Sequence, residues 1–148
     1  MNSSLTAAQE RNLALSRRLV EIYEGEGPWA VEAHFDEFFY PEFEWRGAVS
    51  ALGEELYVGR EGYARWQRDM EAIADQAFVT DFAVEAYGER VVIVLSRMHL
   101  VGKGSRVPTE SEYGAVYELE GGRGVRGRAF LSHDDARRAA REWEEAEG

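Results

Sequence analysis

The fold is decided by residues 78–132, which read FVTDFAVEAYGERVVIVLSRMHLVGKGSRVPTESEYGAVYELEGGRGVRGRAFLS. Strand-like segments, in which the side chains alternate with a period of two, are separated here by Gly-containing turns. Consecutive strands joined by short turns predict an antiparallel meander. Its expected strands are a segment starting at Phe78, then Arg90–Val101, Arg106–Leu119 and Val125–Ser132.

Helical patterns precede this meander. Thr6 and Gln9 fit a capping box that opens a first helix. A second helix is expected over Trp29–Phe39, and Pro41 should end it, because the residue before a proline avoids the helical conformation. The third helix, Gly59–Asp75, has the clearest apolar face.

The remaining segments complete a single α+β domain over residues 1–148, with its core at about 13–132. Phe43–Gly47 is expected to be a short strand and Ala48–Val58 a loop. Ser132 and Asp135 fit the cap of a last, mostly charged helix over about 133–147. Three residues of that helix, Ala136, Ala140 and Trp143, give it only a weak surface for docking.

Short motifs in this order resemble the nuclear transport factor 2-like superfamily, and its SnoaL-like branch most closely. They are FFYPEFEW at 38–45, YVGREG at 57–62, VYEL at 116–119 and RAFL at 128–131. The resemblance spans about Leu13 to Ala140. It implies a strongly curved, mainly antiparallel sheet wrapped around the N-terminal helices into a cone, whose interior is a ligand site or an active site.

Ketosteroid isomerase, a relative in that superfamily, implies a carboxylate base, a protonated carboxylic acid and a helical tyrosine. By spacing, the base position falls on Trp45, the acid position on Ala115 and the tyrosine near Leu19. Proton transfer at carbon needs both a base and a donor that stabilises the enolate. None of these three residues can supply them, although a register shift of one residue would bring in Glu44.

An aromatic pocket is the better prediction. Aromatic side chains with two hydroxyl groups, together with Ser96, suit a flat, mostly apolar ligand that a few hydrogen bonds orient. The alternative is a filled core without a cavity. The expected pocket residues are Leu19, Phe35, Trp45, Trp66, Ser96, Met98, Tyr113, Ala115, Tyr117, Ala129 and Leu131.

Three functions remain open at this point. The first is a binding module for a small apolar or aromatic molecule. The second is a SnoaL-like cyclase, isomerase or dehydratase that acts on a polyketide- or steroid-like substrate through other residues, with Glu44, Ser96, Tyr113 and Tyr117 as weak catalytic candidates. The third is a dimeric scaffold without a ligand.

The dimer prediction comes from the outer face of the sheet. The family register turns Val92, Val94, Ser96 and Met98 inward, which leaves an apolar set outside. A sheet with a solvated convex face would not need such residues. The predicted homodimer contacts are Ile93, Leu95, Val116, Arg128 and Phe130.

Composition narrows the function classes. The formal net charge of −11 opposes binding to nucleic acid or to an anionic membrane. No apolar run of about 20 residues predicts a membrane span, and no signal peptide is recognisable. The chain has no Cys, which fits the cytoplasm. The three His residues lack a metal-binding spacing, so neither a metal nor a cofactor is expected.

Overall fold

The computed structural model describes residues 5–26, 30–48, 56–104 and 108–147. Its elements are α1 (Ala7–Glu26), α2 (Ala30–Ala33), α3 (Phe35–Phe38), β1 (Phe39–Arg46), β2 (Leu56–Val58), α4 (Gly59–Ile73), β3 (Ala74–Tyr87), β4 (Val91–Gly102), β5 (Pro108–Glu120), β6 (Arg123–Phe130) and α5 (His133–Glu147). None of the described helices has the length and apolarity that a membrane crossing requires.

The strands form one six-stranded sheet in the order β2-β1-β6-β5-β4-β3. The predicted meander is confirmed, because β3 to β6 pair with their chain neighbours in antiparallel fashion. The parallel pair is β1 with β6, and it joins the early part of the chain to the last strand. Helix α1 packs against β3 and β4, and α4 packs against β1 and β3. The fold is therefore the expected α+β arrangement, a curved sheet with N-terminal helices on its inner face.

The first helix begins as its capping box predicts. The backbone N–H of Gln9 donates to Oγ1 of Thr6 over 3.1 Å, and the backbone N–H of Thr6 donates to Oε1 of Gln9 over 3.0 Å. These two bonds satisfy donors that the first turn of a helix would leave unpaired.

The segment around Pro41 differs from the prediction. The second helix is two four-residue helices, α2 and α3, and Phe39 already belongs to β1. Pro41 lies inside β1, where the pairing with β6 shifts register between Phe39 and Glu44. A proline lacks the N–H that a regular ladder uses, so such an irregularity accommodates it. The predicted loop ends in the short strand β2, while Trp29 and residues 49–55 lie outside the described part of the chain.

A bulge in β3 changes which of its side chains face inward. The pairing of β3 with β4 shifts between Thr80 and Ala83, and Asp81 has a positive φ of 59°. Val79 lies opposite Met98 on one side of the bulge, and Val84 lies opposite Val94 on the other. The extra residue puts Phe82 on the same face as Val79, although strict alternation would place them on opposite faces.

Helix α5 covers the outer face of the sheet. Val91, Ile93, Leu95 and Val116 are buried there against Ala136, Ala139 and Ala140. A Cβ added at Gly114 would lie 2.8 Å from that of Ala136, so this glycine permits the close approach of helix and sheet.

The surface predicted for dimerisation is therefore closed by the chain's own last helix. Ile93, Leu95 and Val116 are buried beneath α5, Phe130 packs against the same cluster, and the guanidinium of Arg128 lies 5.1 Å from the Phe130 ring centre. Three of the five predicted contacts, Ile93, Leu95 and Val116, are thus unavailable to a second copy while α5 is docked, and the homodimer itself stays a prediction. Three alanines and one tryptophan are enough to dock an otherwise charged helix.

Polar contacts fix the position of α5. The guanidinium of Arg137 donates to the Glu85 carboxylate over 3.1 Å, and that of Arg126 lies 3.9 Å from the Trp143 ring centre. Ser132 caps the helix, accepting from the backbone N–H of Asp135 over 3.2 Å. The helix is held by packing, by an ion pair near the start of its docked face and by a cation–π contact near its end.

Candidate functional site: an aromatic cavity inside the sheet

A cavity of about 90 Å³ lies between the inner face of the sheet and helices α1, α2 and α4. Its wall is predominantly apolar and aromatic. The lining residues are Leu19, Tyr23, Val31, Trp45, Tyr63, Trp66, Met70, Ala77, Phe78, Val79, Phe82, Val94, Ser96, Met98, Tyr113, Ala115 and Tyr117.

Trp45 and Tyr117 form the closed side of the cavity. Their rings stack at an interplanar angle of 18° with centres 5.8 Å apart, and Phe43 continues the stack. Trp45 is 2% exposed, and Trp66 meets it edge to face at 5.4 Å. Stacked and T-shaped contacts of this kind fix ring positions, so this wall is rigid.

The stack rests directly on β6. A Cβ added at Gly127 would lie 2.9 Å from the Tyr117 ring and 3.0 Å from the Trp45 ring. Any larger residue at this position would push one of the two rings into the cavity. The small residues of β6 thus provide the floor on which the aromatic wall stands, rather than the lining itself.

Several polar groups of the cavity are hydrogen-bond donors without a partner among the described residues. Within the described ranges, the hydroxyls of Tyr63, Tyr113 and Tyr117 have no hydrogen bond. Nε1 of Trp45 is buried without a partner in the same part of the chain. Such a group normally finds a protein or solvent acceptor, because an unmade buried hydrogen bond costs about 1–3 kcal/mol. An acceptor on a molecule bound in the cavity would satisfy the phenol hydroxyls.

Two other hydroxyls are already engaged. Tyr23 accepts the backbone N–H of Val79 over 2.8 Å, which ties α1 to β3 beside the cavity. Ser96 donates to the backbone carbonyl of Tyr113 over 3.4 Å. Ser96 is therefore a weaker ligand contact than the free phenols.

Burial keeps the cavity phenols protonated. It raises the pKa of Tyr63, Tyr113 and Tyr117 above the usual range for tyrosine, and for the first two the nearby phenols add to the rise. A buried phenolate loses its hydration without gaining a counter-charge, since no residue in the described wall is ionised near neutral pH. The phenols act as neutral donors and not as bases.

Alkaline titration should show this burial directly. A tyrosine with a raised pKa in the folded chain adds stability that is present below the unfolded pKa of about 10 and is lost as pH rises above it. We expect these three phenols to ionise only as the protein unfolds. Phenolate absorbance in the near ultraviolet and circular dichroism, recorded together as the pH is raised past the usual tyrosine pKa of about 10, should show a final absorbance step that coincides with unfolding. Ionisation of all seven tyrosines before unfolding would contradict the burial.

Comparison with known proteins gives structural matches only. No protein-family model and no curated sequence matches the chain. A candidate SnoaL-like polyketide cyclase from Jannaschia sp. CCS1 is 15% identical with a TM-score of 0.67, covering 95% of this chain and 98% of that one. A candidate polyketide cyclase from Xanthomonas campestris pv. campestris is 16% identical with a TM-score of 0.66, covering 87% and 96%.

The chain has the nuclear transport factor 2-like fold of the SnoaL-like proteins. The resemblance expected from its motifs is confirmed at the level of the fold. A protein with the ketosteroid isomerase-like fold from Catenulispora acidiphila DSM 44928, in complex with trimethylamine, also matches. It is 14% identical with a TM-score of 0.62, covering 85% of this chain and 91% of that one.

The spacing argument assigned three positions of this chain to the catalytic groups of ketosteroid isomerase, and all three lie on the cavity wall. They hold Trp45, Ala115 and Leu19. Glu44, the alternative base, is exposed on the opposite face of β1. The carboxylate nearest in sequence to the base position thus points away from the cavity.

The structure gathers most of the predicted pocket residues. The cavity wall includes Leu19, Trp45, Trp66, Ser96, Met98, Tyr113, Ala115 and Tyr117. Three predicted residues lie elsewhere. Phe35 is buried behind the wall, 5.2 Å from Phe39 between ring centres. Ala129 lies on β6, which the aromatic rings cover, and Leu131 follows the end of β6 and is 45% exposed.

Several lining residues were not among the predicted ones. Tyr63 and Met70 share the apolar face of α4 with Trp66, and that helical spacing was a usable signal. Ala77, Phe78, Val79 and Phe82 come from β3, where the bulge obscures the inward face. No cluster of three or more metal-binding side chains occurs in the described ranges.

Proposed function

We propose that this protein binds one small, uncharged, mostly apolar ring molecule that carries a hydrogen-bond acceptor. The observation that carries the proposal is the set of phenol donors on an aromatic wall, Tyr63, Tyr113 and Tyr117, which have no hydrogen-bond partner among the described residues. An apolar cavity with a few convergent polar groups is the usual form of a small-molecule site.

Size limits the ligand. The cavity measures about 90 Å³, against about 150 Å³ for an engineered apolar cavity that admits benzene. A single ring therefore fits only if part of it extends beyond the cavity. A steroid or a fused polyketide is too large for the cavity in this structure. That the Catenulispora neighbour holds a molecule as compact as trimethylamine supports a small ligand.

Charge limits the ligand as well. A carboxylate in this wall would lose its hydration and find only neutral donors, so a neutral acceptor such as a ketone is favoured over an anion. The same absence of an ionised group in the described wall argues for binding rather than proton-transfer catalysis. The candidate cyclases among the neighbours support the enzyme alternative only through their fold.

Three probes of similar shape test the proposal by titration calorimetry. They are acetophenone, which carries a carbonyl, α-methylstyrene, in which a methylene group replaces the oxygen, and benzoate, which is an anion. Acetophenone should bind about two- to tenfold more tightly than α-methylstyrene, the effect of one net hydrogen bond. Benzoate should bind at least about tenfold more weakly than acetophenone.

Variants locate the donor. Tyr113→Phe and Tyr117→Phe keep the rings, so the pair should lower acetophenone affinity and spare α-methylstyrene. Tyr40→Phe is the matched control, because its hydroxyl donates to the backbone carbonyl of Glu120 outside the cavity. Absence of binding by all three probes would show that the cavity is only an imperfectly filled core.

A further inference from the structure

Methionine side chains are concentrated at the cavity. The chain has three methionines, and the two that lie in the described part of the chain, Met70 of α4 and Met98 of β4, both line the cavity wall. They are 2% and 7% exposed. Two long, unbranched side chains thus belong to a wall whose other members are rings, branched residues or small residues.

Strand register and helical spacing turn both methionines inward. Met98 lies opposite Val79 on β3 and follows Ser96 on the inner face of β4. Met70 follows Trp66 by one turn on the apolar face of α4. The sheet and the helix that packs on it therefore contribute one methionine each.

The rest of the wall has little freedom to move. Trp45 and Tyr117 are held by their stack. Tyr23 accepts the backbone N–H of Val79, and its ring meets Phe82 edge to face with centres 5.5 Å apart. The valines of the wall have few side-chain rotamers, and its alanines and serine are too short to yield much space. Methionine has three rotatable bonds and adapts its shape to its surroundings. Room for a larger ligand must therefore come chiefly from the two methionines.

We propose that Met70 and Met98 are specificity-determining residues, and that their displacement lets the cavity accept a ligand of two fused rings. The inference rests on the proposed function, since it concerns the same cavity. At about 90 Å³ the cavity encloses only part of one ring. When the methionine side chains change rotamer, the second ring takes the space they leave, and their sulfurs gain favourable contacts with it. The aromatic wall and its phenols stay in place to bind the acceptor.

Two ketones that differ in the size of the ring system test this by titration calorimetry. Acetophenone has one ring, and 2-acetylnaphthalene has two fused rings with the same carbonyl group. The unaltered protein should bind 2-acetylnaphthalene at least as tightly as acetophenone, because the larger ring system buries more apolar surface.

The double variant Met70→Ile/Met98→Ile removes the adaptability and nearly preserves the volume of the wall. It should bind 2-acetylnaphthalene about tenfold more weakly than the unaltered protein, because the second ring loses its space. Its affinity for acetophenone should fall by less than about threefold. Leu119→Ile is the matched control, a change of the same kind at a buried residue of β5 outside the cavity wall, and it should leave the ratio of the two affinities unchanged.

Equal losses for both ketones in the double variant would overturn the role of the methionines. So would an unaltered protein that binds acetophenone but not 2-acetylnaphthalene, and either result leaves the binding function in place. If neither ketone binds the unaltered protein, both proposals fail.

A second readout uses the unaltered protein, so it stands even if the double variant does not fold. Isotope-labelled methionine methyl groups give three signals in nuclear magnetic resonance spectra, and the single variants Met70→Ile and Met98→Ile assign two of them. Ring currents of bound 2-acetylnaphthalene should shift both assigned signals. Binding of 2-acetylnaphthalene with both signals unshifted would show that the methionines do not make room for it.

Discussion

Leu95→Glu should leave most of the protein unfolded. Leu95 is 3% exposed and lies between β4 and α5, in the cluster that includes Ala136 and Ala140. A carboxylate at this position has no partner, so either α5 detaches or the charge stays buried, and the second alternative costs several kcal/mol. Losses above about 4 kcal/mol exceed half the stability of many small domains. Urea unfolding followed by circular dichroism measures the loss.

The control for this substitution places the same charge on the surface. Leu131→Glu changes an exposed leucine outside both apolar clusters, and it should shift the free energy of unfolding by less than about 0.5 kcal/mol. If Leu95→Glu is as stable as this control, α5 does not cover the sheet in solution. A stable Leu95→Glu monomer formed from a dimeric parent would instead restore the outer face as a subunit interface.

Trp45→Asp should be the second most damaging change. The substitution removes a ring that stacks on Tyr117 and contacts Trp66, and truncation of a buried tryptophan costs about 3–5 kcal/mol. The new carboxylate would face an apolar wall, which should raise its pKa above the usual value for aspartate. Denaturant unfolding at pH 5 and pH 8 tests both effects, because the loss of stability should be greater at pH 8, where the group must ionise.

Restoring a carboxylate at this position should not by itself create an isomerase. Ala115 and Leu19 still occupy the other two positions. No described contact brings the hydroxyls of the neutral phenols together around one acceptor atom. We expect no ketosteroid turnover by Trp45→Asp above that of the unaltered protein. Trp45→Phe is the steric control, since it keeps a ring without a carboxylate. Measurable turnover by Trp45→Asp would show that the wall can stabilise an enolate.

Much of the sheet could be predicted because short-range signals determine it. Gly88, Gly121 and Gly122 have positive φ values, and each marks a turn that the sequence predicts. The alternation in β4 places Val94, Ser96 and Met98 inward, as expected. The bulge in β3 gives no such signal. Asp81 tolerates a positive φ, but its neighbours continue a regular alternation across the site of the extra residue.

The sequence could not identify what covers the outer face of the sheet, for a different reason. The apolar side chains of β4 and β5 correctly indicate that something must cover them. Their pattern does not identify the cover, because a second copy of the chain and the last helix would bury the same atoms. The alanines of α5 let the helix approach the sheet closely opposite Gly114. Small residues contribute little to a hydrophobicity pattern, so the sequence does not indicate this contact.

The cavity was predictable in its composition but not in its chemistry. Aromatic residues at Trp45, Trp66 and Tyr117 converge as the spacing indicated. Whether their polar atoms have partners depends on distances between elements far apart in sequence, and residue spacing cannot supply those.

The parallel pairing of β1 with β6 has a consequence for biosynthesis. A ribosome releases β1 early and β6 only after the other five strands, yet Trp45 lies opposite Gly127 in the finished sheet. Hairpins between β3, β4 and β5 close short loops during translation. The β1–β6 pair can form only after β6 has been synthesised, and it then closes a long loop. Nascent chains therefore carry a first strand that has only β2 as a partner, and an aromatic cluster without its floor. A chaperone that holds such segments would be needed chiefly in that interval.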